Sequence, residues 1–319
     1  MDEFSFIDSI KPTFYQQSSL VKGIGDDAAV FRSSMDIVTA VDTFVEDVHF
    51  SRSTMEPFHI GYRALGANIS DLAAMGALPS FYLVSIVIPK NWTEEELSQI
   101  YLGMDDLASK YHMDIIGGDT VSGKQLTISI TVIGYTNTNK ARYRRHAKEG
   151  DIVFVTGTLG DSQAGFHILS NENNYVDQDF YISRHRKPEP RVAFALALEK
   201  LDRVSLNDVS DGIANEASEI AEASNVSIVI SENDIPVARS FYQFTNEQQY
   251  HWKLSGGEDF ELLGTVDKHD WNVVKKAAEE TNTQLTIIGN VVEENKHPVY
   301  IEDNDVRKVL KKSGYTHLK

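Results

Sequence analysis

Apolar positions along this chain recur at two periods, one near 3.6 residues and one of two, and the switches between them set out a series of helices and strands. Phe4, Phe6, Ile7 and Ile10 fall mostly at helical spacing before Pro12, so Glu3 to Ile10 reads as a helix with a stop. A strand-like Ala28 to Phe31 comes next, followed by a strand from Asp36 to Asp42 built on Ile37, Val38, Ala40 and Val41. Pro57 to Met75 has the spacing of a helix, and Phe81 to Ile88 is a strand closed by Pro89. Thr93 opens a helix that runs to about Tyr111, with Glu96 at the spacing of a capping box. Met113 to Ile116 reads as a short buried strand that delivers Gly117-Gly-Asp-Thr120 as a tight turn at its carboxyl end, and Leu126 to Ile133 alternates as a strand. Further on, Ile152 to Thr156, Val204 to Val209, Leu262 to Val266 and Leu285 to Val291 read as strands. Gln163 to Leu169, Arg191 to Leu201, Ile213 to Ala223 and Trp271 to Glu280 read as helices, and Asn171 to Gln178 as an exposed polar loop.

The polar stretch Asn137 to Asp151 interrupts this pattern and inverts the charge. Lys140, Arg142, Arg144, Arg145 and Lys148 stand there in a chain whose 30 Lys and Arg meet 47 Asp and Glu, for a net charge of −17. It divides the 319 residues into a domain of residues 1–138 and one of residues 139–319, and a 41% hydrophobic content builds a core in each. The basic run is either a solvated linker or a clamp for phosphate. The acidic balance argues against nucleic acid or an anionic membrane as partner. With no cysteine, disulfides, thiolate metal sites and thiol nucleophiles are excluded together, and with no signal peptide or long apolar span the chain reads as cytoplasmic.

Two phosphate-binding patterns in the sequence are decoys. Gly23, Gly25 and Ala28 match the loose dinucleotide fingerprint, but no strand precedes them, and Asp26 and Asp27 stand where a pyrophosphate would approach. Gly118 to Lys124 spells most of a P-loop, yet Gln125 replaces the magnesium-binding hydroxyl residue and a strand follows where a helix is required.

What does repeat is an Asp among small residues at the end of an apolar run. Asp71 lies in Asn68-Ile-Ser-Asp-Leu-Ala-Ala-Met-Gly-Ala77, either capping Leu72 to Met75 or facing a cation. Asp42, Glu46, Asp47 and His49 crowd eight residues, as a solvated acidic loop or as a binding loop. Asp208-Val-Ser-Asp-Gly212 precedes a helix, so Ser210 or Asp211 is either an N-cap or part of a site. Ser255-Gly-Gly-Glu-Asp-Phe-Glu261 is a further Gly-rich acidic turn. Two carboxylates about 4 Å apart repel by roughly 4 kcal/mol at an effective dielectric near 20, so several together require cations. Oxygen-only ligands select hard ions such as magnesium or manganese, and these bridge to nucleotide phosphates without a P-loop.

Seven motifs in order, Gly-Ile-Gly-Asp-Asp-Ala-Ala, Val-Asp-Thr-Phe-Val-Glu-Asp-Val-His-Phe, Asn-Ile-Ser-Asp-Leu-Ala-Ala-Met-Gly-Ala, Gly-Gly-Asp-Thr, Thr-Gly-Thr-Leu-Gly-Asp-Ser, Asp-Val-Ser-Asp-Gly and Gly-Gly-Glu-Asp-Phe-Glu-Leu, resemble the thiamine-monophosphate kinases. That family lies within the aminoimidazole ribonucleotide synthetase superfamily, and the resemblance runs from Phe4 to Tyr315. It implies an α/β (α+β) fold of two domains, with the N-terminal domain's sheet forming a barrel across a homodimer. It implies transfer of the γ-phosphoryl group of ATP to thiamine monophosphate, in line and with several magnesium ions. By the same resemblance Asp26, Asp42, Asp71, Asp119, Asp208 and Asp211 hold magnesium, and Asp42, Asp71, Asp119, Asp208 and Arg144 carry the chemistry. Tyr101, Gly118, Asp119, Arg144 and Ser210 fall at ATP positions, with Arg145 beside Arg144, and His49, Glu258 and Tyr315 at thiamine-phosphate positions. The chain departs from the family where Ala40 and Val41 replace hydroxyl residues that serve as extra magnesium ligands. Cysteine-dependent branches of the superfamily are excluded; another ATP-dependent synthetase, a multi-magnesium phosphohydrolase and a non-catalytic ion-binding module are the alternatives.

Overall fold

The computed structural model describes residues 7, 9–24, 28–171, 173–293, 296–304 and 306–314, so Asp26, Tyr315 and most of the Glu3 to Ile10 segment lie outside it. The chain forms two units, one of Met1–Leu72 with Ala77–Asn139 and one of Ala73–Gly76 with Lys140–Lys319.

In chain order the first unit holds β1 (Leu20–Lys22), β2 (Val30–Phe31), β3 (Asp36–Val45), α1 (Pro57–Ala74), β4 (Leu78–Ile88), α2 (Glu94–Lys110), β5 (Asp114–Ser122) and β6 (Thr127–Thr136). β1 and β2 pair with each other, and the other four strands make an open sheet in the order β3-β6-β4-β5. β6 is antiparallel to both β3 and β4, and β5 runs parallel to β4. One face is buried, with Val84, Ile86, Ile128, Ile130 and Val132 in its core. On the other side of β3, Ile37 and Val41 are 53% and 61% exposed, an apolar surface that a single chain leaves in water.

α1 and α2 approach so closely that each needs a glycine at the contact. A Cβ at Gly61 would lie 1.8 Å from the Ile100 carbonyl oxygen, and one at Gly103 would lie 1.8 Å from that of Phe58. α2 begins with the capping box anticipated from Thr93 and Glu96.

The acidic motifs are placed differently from their expected turns and caps. Gly117 to Thr120 is not a turn, because β5 continues through it in register with Leu83 to Ile86. Gly118 is required by a close approach rather than by turning, since a Cβ there would meet the Val84 carbonyl oxygen at 2.0 Å. Asp71 sits inside the last turn of α1 and so has no helix N-terminus to cap.

The second unit continues with β7 (Ile152–Thr156), α3 (Asp161–Leu169), α4 (Gln178–Arg186), α5 (Val192–Ala197), β8 (Ser205–Asp208), α6 (Ile213–Ser224), β9 (Ser227–Ser231), α7 (Asn246–Ser255), β10 (Leu262–Val266), α8 (Trp271–Glu280), β11 (Leu285–Val292), β12 (Val299–Asp303) and β13 (Val306–Val309). Its sheet has the order β13-β12-β9-β11-β7-β10-β8, with only β12 and β9 parallel. One core joins α6 to the sheet through Ile213, Ala217, Ile220, Val155, Leu263 and Ile288; a second is aromatic, from Tyr181, Phe241, Phe244 and Trp252. Neither Ser210 nor Asp211 caps α6, whose N-cap is Gly212 at φ 106.

Replacing Gly103 with alanine should lower stability by about 2–3 kcal/mol through overpacking, and Thr93→Ala by about 1 kcal/mol through loss of the cap. Urea unfolding midpoints check both. A gain for Gly103→Ala, which helix propensity alone would give, would contradict the close helix contact.

Candidate active site

The candidate residues fall in two halves, one in each unit. In the first, Asp42 lies not at the end of its strand, as the sequence predicts, but inside β3, which runs on to Val45 before the loop that holds His49. The Asp42 main-chain N–H donates to Asn68 Oδ1 at 3.0 Å, and Asn68 is anchored by donating from Nδ2 to the Ala64 carbonyl at 2.9 Å. Asp71 follows Asn68 by three residues on the same side of α1. Burial pushes the Asp42 carboxyl above its ordinary value, with His49 pulling it back. His49 Nδ1 accepts the Val45 N–H at 3.0 Å, so the neutral ring carries its proton on Nε2.

The His49 loop is fixed by buried Glu46. Its Oε2 accepts from Trp92 Nε1 at 3.2 Å and from the Leu126 N–H at 3.3 Å, while Arg52 stacks on the Trp92 ring at 3.9 Å. Tyr101 is buried within α2. Gly118 and Asp119 are exposed on β5, at the opposite edge of the sheet from Asp42. Asp42 pairs with Ile130, Ile130 with Val84 and Val84 with Gly118, so Asp42 and Gly118 stand three strand spacings apart, about 14 Å, and Asp119 lies one residue further on, in the row of Ser85, Ser129 and Thr43.

In the second half, β8 ends at buried Asp208, and the loop through Ser210 and Asp211 turns at Gly212. Glu216 of α6, to which the sequence reading assigned no role, accepts from the Asp211 N–H at 2.8 Å and from Asn207 Nδ2 at 2.7 Å. Burial, and then the neighbouring Asp208 charge, push its carboxyl well above the ordinary range. Arg144 donates from Nε to Asn207 Oδ1 at 3.0 Å and pairs with Glu219 at 3.2 Å, whereas Arg145 lies over the Tyr143 ring at 4.6 Å. The Glu258 N–H donates to the Ser210 carbonyl at 2.7 Å, so the Gly-Gly-Glu-Asp-Phe-Glu segment runs beside the Asp208 loop.

Two further acids of the Gly-Gly-Glu-Asp-Phe-Glu motif are engaged by groups of the protein itself. Asp259 accepts the N–H groups of Gly160 and Ser162 at 2.7 and 3.0 Å, capping α3 from outside. Glu261 binds Arg184, Arg191 and Thr156, each at 2.6 Å. Among the described residues, no three His, Asp or Glu side chains stand together closely enough to hold a metal ion.

Comparison with known proteins fits this arrangement. The family model for AIR synthase related protein, N-terminal domain, matches residues 25–136, and that for the C-terminal domain matches residues 148–302. The thiamine-monophosphate kinase of Bacillus subtilis (strain 168) is 46% identical over the whole of both chains. A crystal structure of thiamine-monophosphate kinase from Stenotrophomonas maltophilia K279a superposes with a TM-score of 0.85 at 28% identity, covering 98% of each chain. A structure of AaThiL complexed with AMPPCP and TMP superposes with a TM-score of 0.79 at 30% identity, covering 99% of this chain and 97% of that one. The two-domain α+β fold is therefore that of the AIR synthase related proteins. Within them the chain belongs to the thiamine-monophosphate kinase family, and it is an enzyme of that kind.

The acids of α3 and its cap predict a pH dependence of stability. Burial raises the Asp161 carboxyl to about 6, and burial with the Asp161 charge raises Asp259 to about 7. A carboxyl raised in the folded state binds its proton more tightly there, so stability falls as pH rises from about 4 through about 7. The metal-free protein should melt lower at about pH 8 than at about pH 6, and Asp161→Asn should narrow that gap. An unchanged gap in the variant would remove Asp161 as a contributor.

Proposed function

We propose that the enzyme transfers the γ-phosphoryl group of ATP to thiamine monophosphate, giving thiamine diphosphate and ADP. The observation that carries this reading is the likeness, over nearly the whole chain, to AaThiL complexed with AMPPCP and TMP. An oxygen of the acceptor's phosphate attacks the γ-phosphorus in line, a new P–O bond forms, and the bond to the ADP oxygen breaks. The acceptor is already an oxyanion near neutral pH, so the step requires no strong base. His49, with its proton on Nε2, serves as a donor to the substrate, and Glu258 and Tyr315 are further substrate contacts. Arg144, Tyr101, Gly118 and Ser210 meet ATP.

The residues present fit magnesium. Their donors are carboxylate oxygens, the hard ligands that magnesium takes, and burial raises the Asp42 carboxyl above its ordinary value. Asp26, Asp42, Asp71, Asp119, Asp208 and Asp211 would hold it. Bound magnesium supplies the positive charge that neutralises the nucleotide's phosphates, which a chain of net charge −17 would otherwise repel.

The active form is a homodimer whose two N-terminal sheets close into a barrel. The exposed Ile37 and Val41 favour this, and so does the separation of Asp42 from Asp119 on the two edges of one sheet. A second copy brings one chain's Asp42 to the other's Asp119.

Incubation with ATP, magnesium and thiamine monophosphate should yield thiamine diphosphate, whereas acceptor-independent phosphate release, or no turnover, would refute the assignment. A second test addresses the shared site. Asp42→Asn and Asp119→Asn should each be inactive alone, yet an equal mixture allowed to exchange subunits should recover about a quarter of wild-type activity, because half the dimers are mixed and each has one intact site. A dead mixture would place both acids in one chain's site.

A further inference from the structure

Two buried carboxylates outside the proposed ligand set tie down two adjoining loops, and they act through different partners. Glu216 holds the Asp208 to Gly212 loop. Its Oε1 accepts from the Asp211 N–H at 2.8 Å and from Ser210 Oγ at 3.4 Å, and its Oε2 accepts from Asn207 Nδ2 at 2.7 Å. Asn207 in turn presents Oδ1 to Arg144 Nε at 3.0 Å. One carboxylate thus fixes Ser210, Asp211 and, through an amide, Arg144. Asp259 holds the neighbouring Gly256 to Glu261 segment by accepting the N–H groups of Gly160 and Ser162. The residues on either side of it, Glu258 at φ 58 and Phe260 at φ 51, have left-handed backbones that non-glycine residues keep only when their surroundings impose them. The two loops touch through main-chain bonds, Glu258 N–H to the Ser210 carbonyl at 2.7 Å and Phe260 N–H to the Val209 carbonyl at 3.0 Å, which side-chain changes at Glu216 or Asp259 leave in place.

We propose that Glu216 and Asp259 are positioning residues with divided duties, Glu216 setting the nucleotide side through Asn207, Arg144 and the Asp208 loop, and Asp259 setting the phosphate-acceptor side through Glu258. This rests on the reading above, in which Arg144 and Ser210 meet ATP, Asp211 holds magnesium and Glu258 serves the acceptor.

The test is steady-state kinetics of the full chain with both substrates varied, on Glu216→Gln, Asp259→Asn and Glu258→Gln, alongside thermal unfolding of each. Glu216→Gln should raise KM for ATP about tenfold with KM for thiamine monophosphate within about twofold of wild type, and Asp259→Asn should do the reverse. A merely structural role would move both KM values together or leave both unchanged, and either result overturns the division, whatever the change in melting temperature. Glu258→Gln separates the two ideas. If it leaves KM for thiamine monophosphate unchanged, the assignment of Glu258 fails; if it raises that KM and Asp259→Asn does not, the positioning inference fails alone. Should Asp259→Asn not fold, hydrogen exchange on the wild-type protein decides. Thiamine monophosphate should slow exchange at the Gly160 and Ser162 amides, and AMPPCP with magnesium should slow it at Asp211; identical patterns from the two ligands would overturn the proposal.

Discussion

Placing carboxylates together in a buried setting is the constraint that orders this structure, because each pair repels by several kcal/mol unless something positive or an N–H donor meets it. Glu261 is fully met. Arg191 grips both its oxygens, Arg184 and Thr156 add bonds at 2.6 Å, and although burial pushes its carboxyl up, the two arginines hold it below the ordinary range. The clamp is tight enough to exclude a side chain at Gly157, where a Cβ would lie 2.0 Å from Glu261 Oε1. Asp259 is met by two amides and rises to about 7. Glu216 is met by an amide, a hydroxyl and an amide side chain, and burial with Asp208 beside it pushes its carboxyl well above the ordinary range.

The same constraint explains which parts were legible beforehand. α1, α2 and the Thr93 capping box follow from local periodicity and a local hydrogen bond, which a single sequence contains in full. The placement of Gly117 to Thr120 does not, because glycines next to an Asp signal either a turn or a close backbone approach. Only the neighbour strand, with its Val84 carbonyl 2.0 Å from a hypothetical Gly118 Cβ, decides between them. In the same way Ser210 and Asp211 had the composition of an N-cap, but the Asp211 N–H is satisfied by Glu216 from within the helix, so the loop's side chains are released from capping. Glu216 had a faint signal: it stands three residues before Glu219 in an Ala- and Ile-rich helix, directly after the Asp208 motif. The short strands β9, β12 and β13 and the helices α4 and α7 were not read at all, since their stability comes from distant partners rather than from their own pattern.

The departure at Ala40 and Val41 also acquires a physical sense. The nearest hydroxyls on β3 belong to Thr39 and Thr43, and both are engaged across the sheet, Thr39 Oγ1 donating to the Val132 carbonyl at 2.9 Å and Thr43 Oγ1 bonded to Ser129 Oγ at 2.7 Å. Neither replaces the missing side-chain ligand without giving up a cross-strand bond. In the proposed magnesium site the load therefore falls on the Asp42 carboxylate and on main-chain carbonyls of β3. That raises the importance of whatever fixes Asp42, and Asn68, one turn before Asp71, is the group that does so through the Asp42 N–H. A single helix end thus sets two of the first unit's acids, one by carrying it and one by holding its backbone.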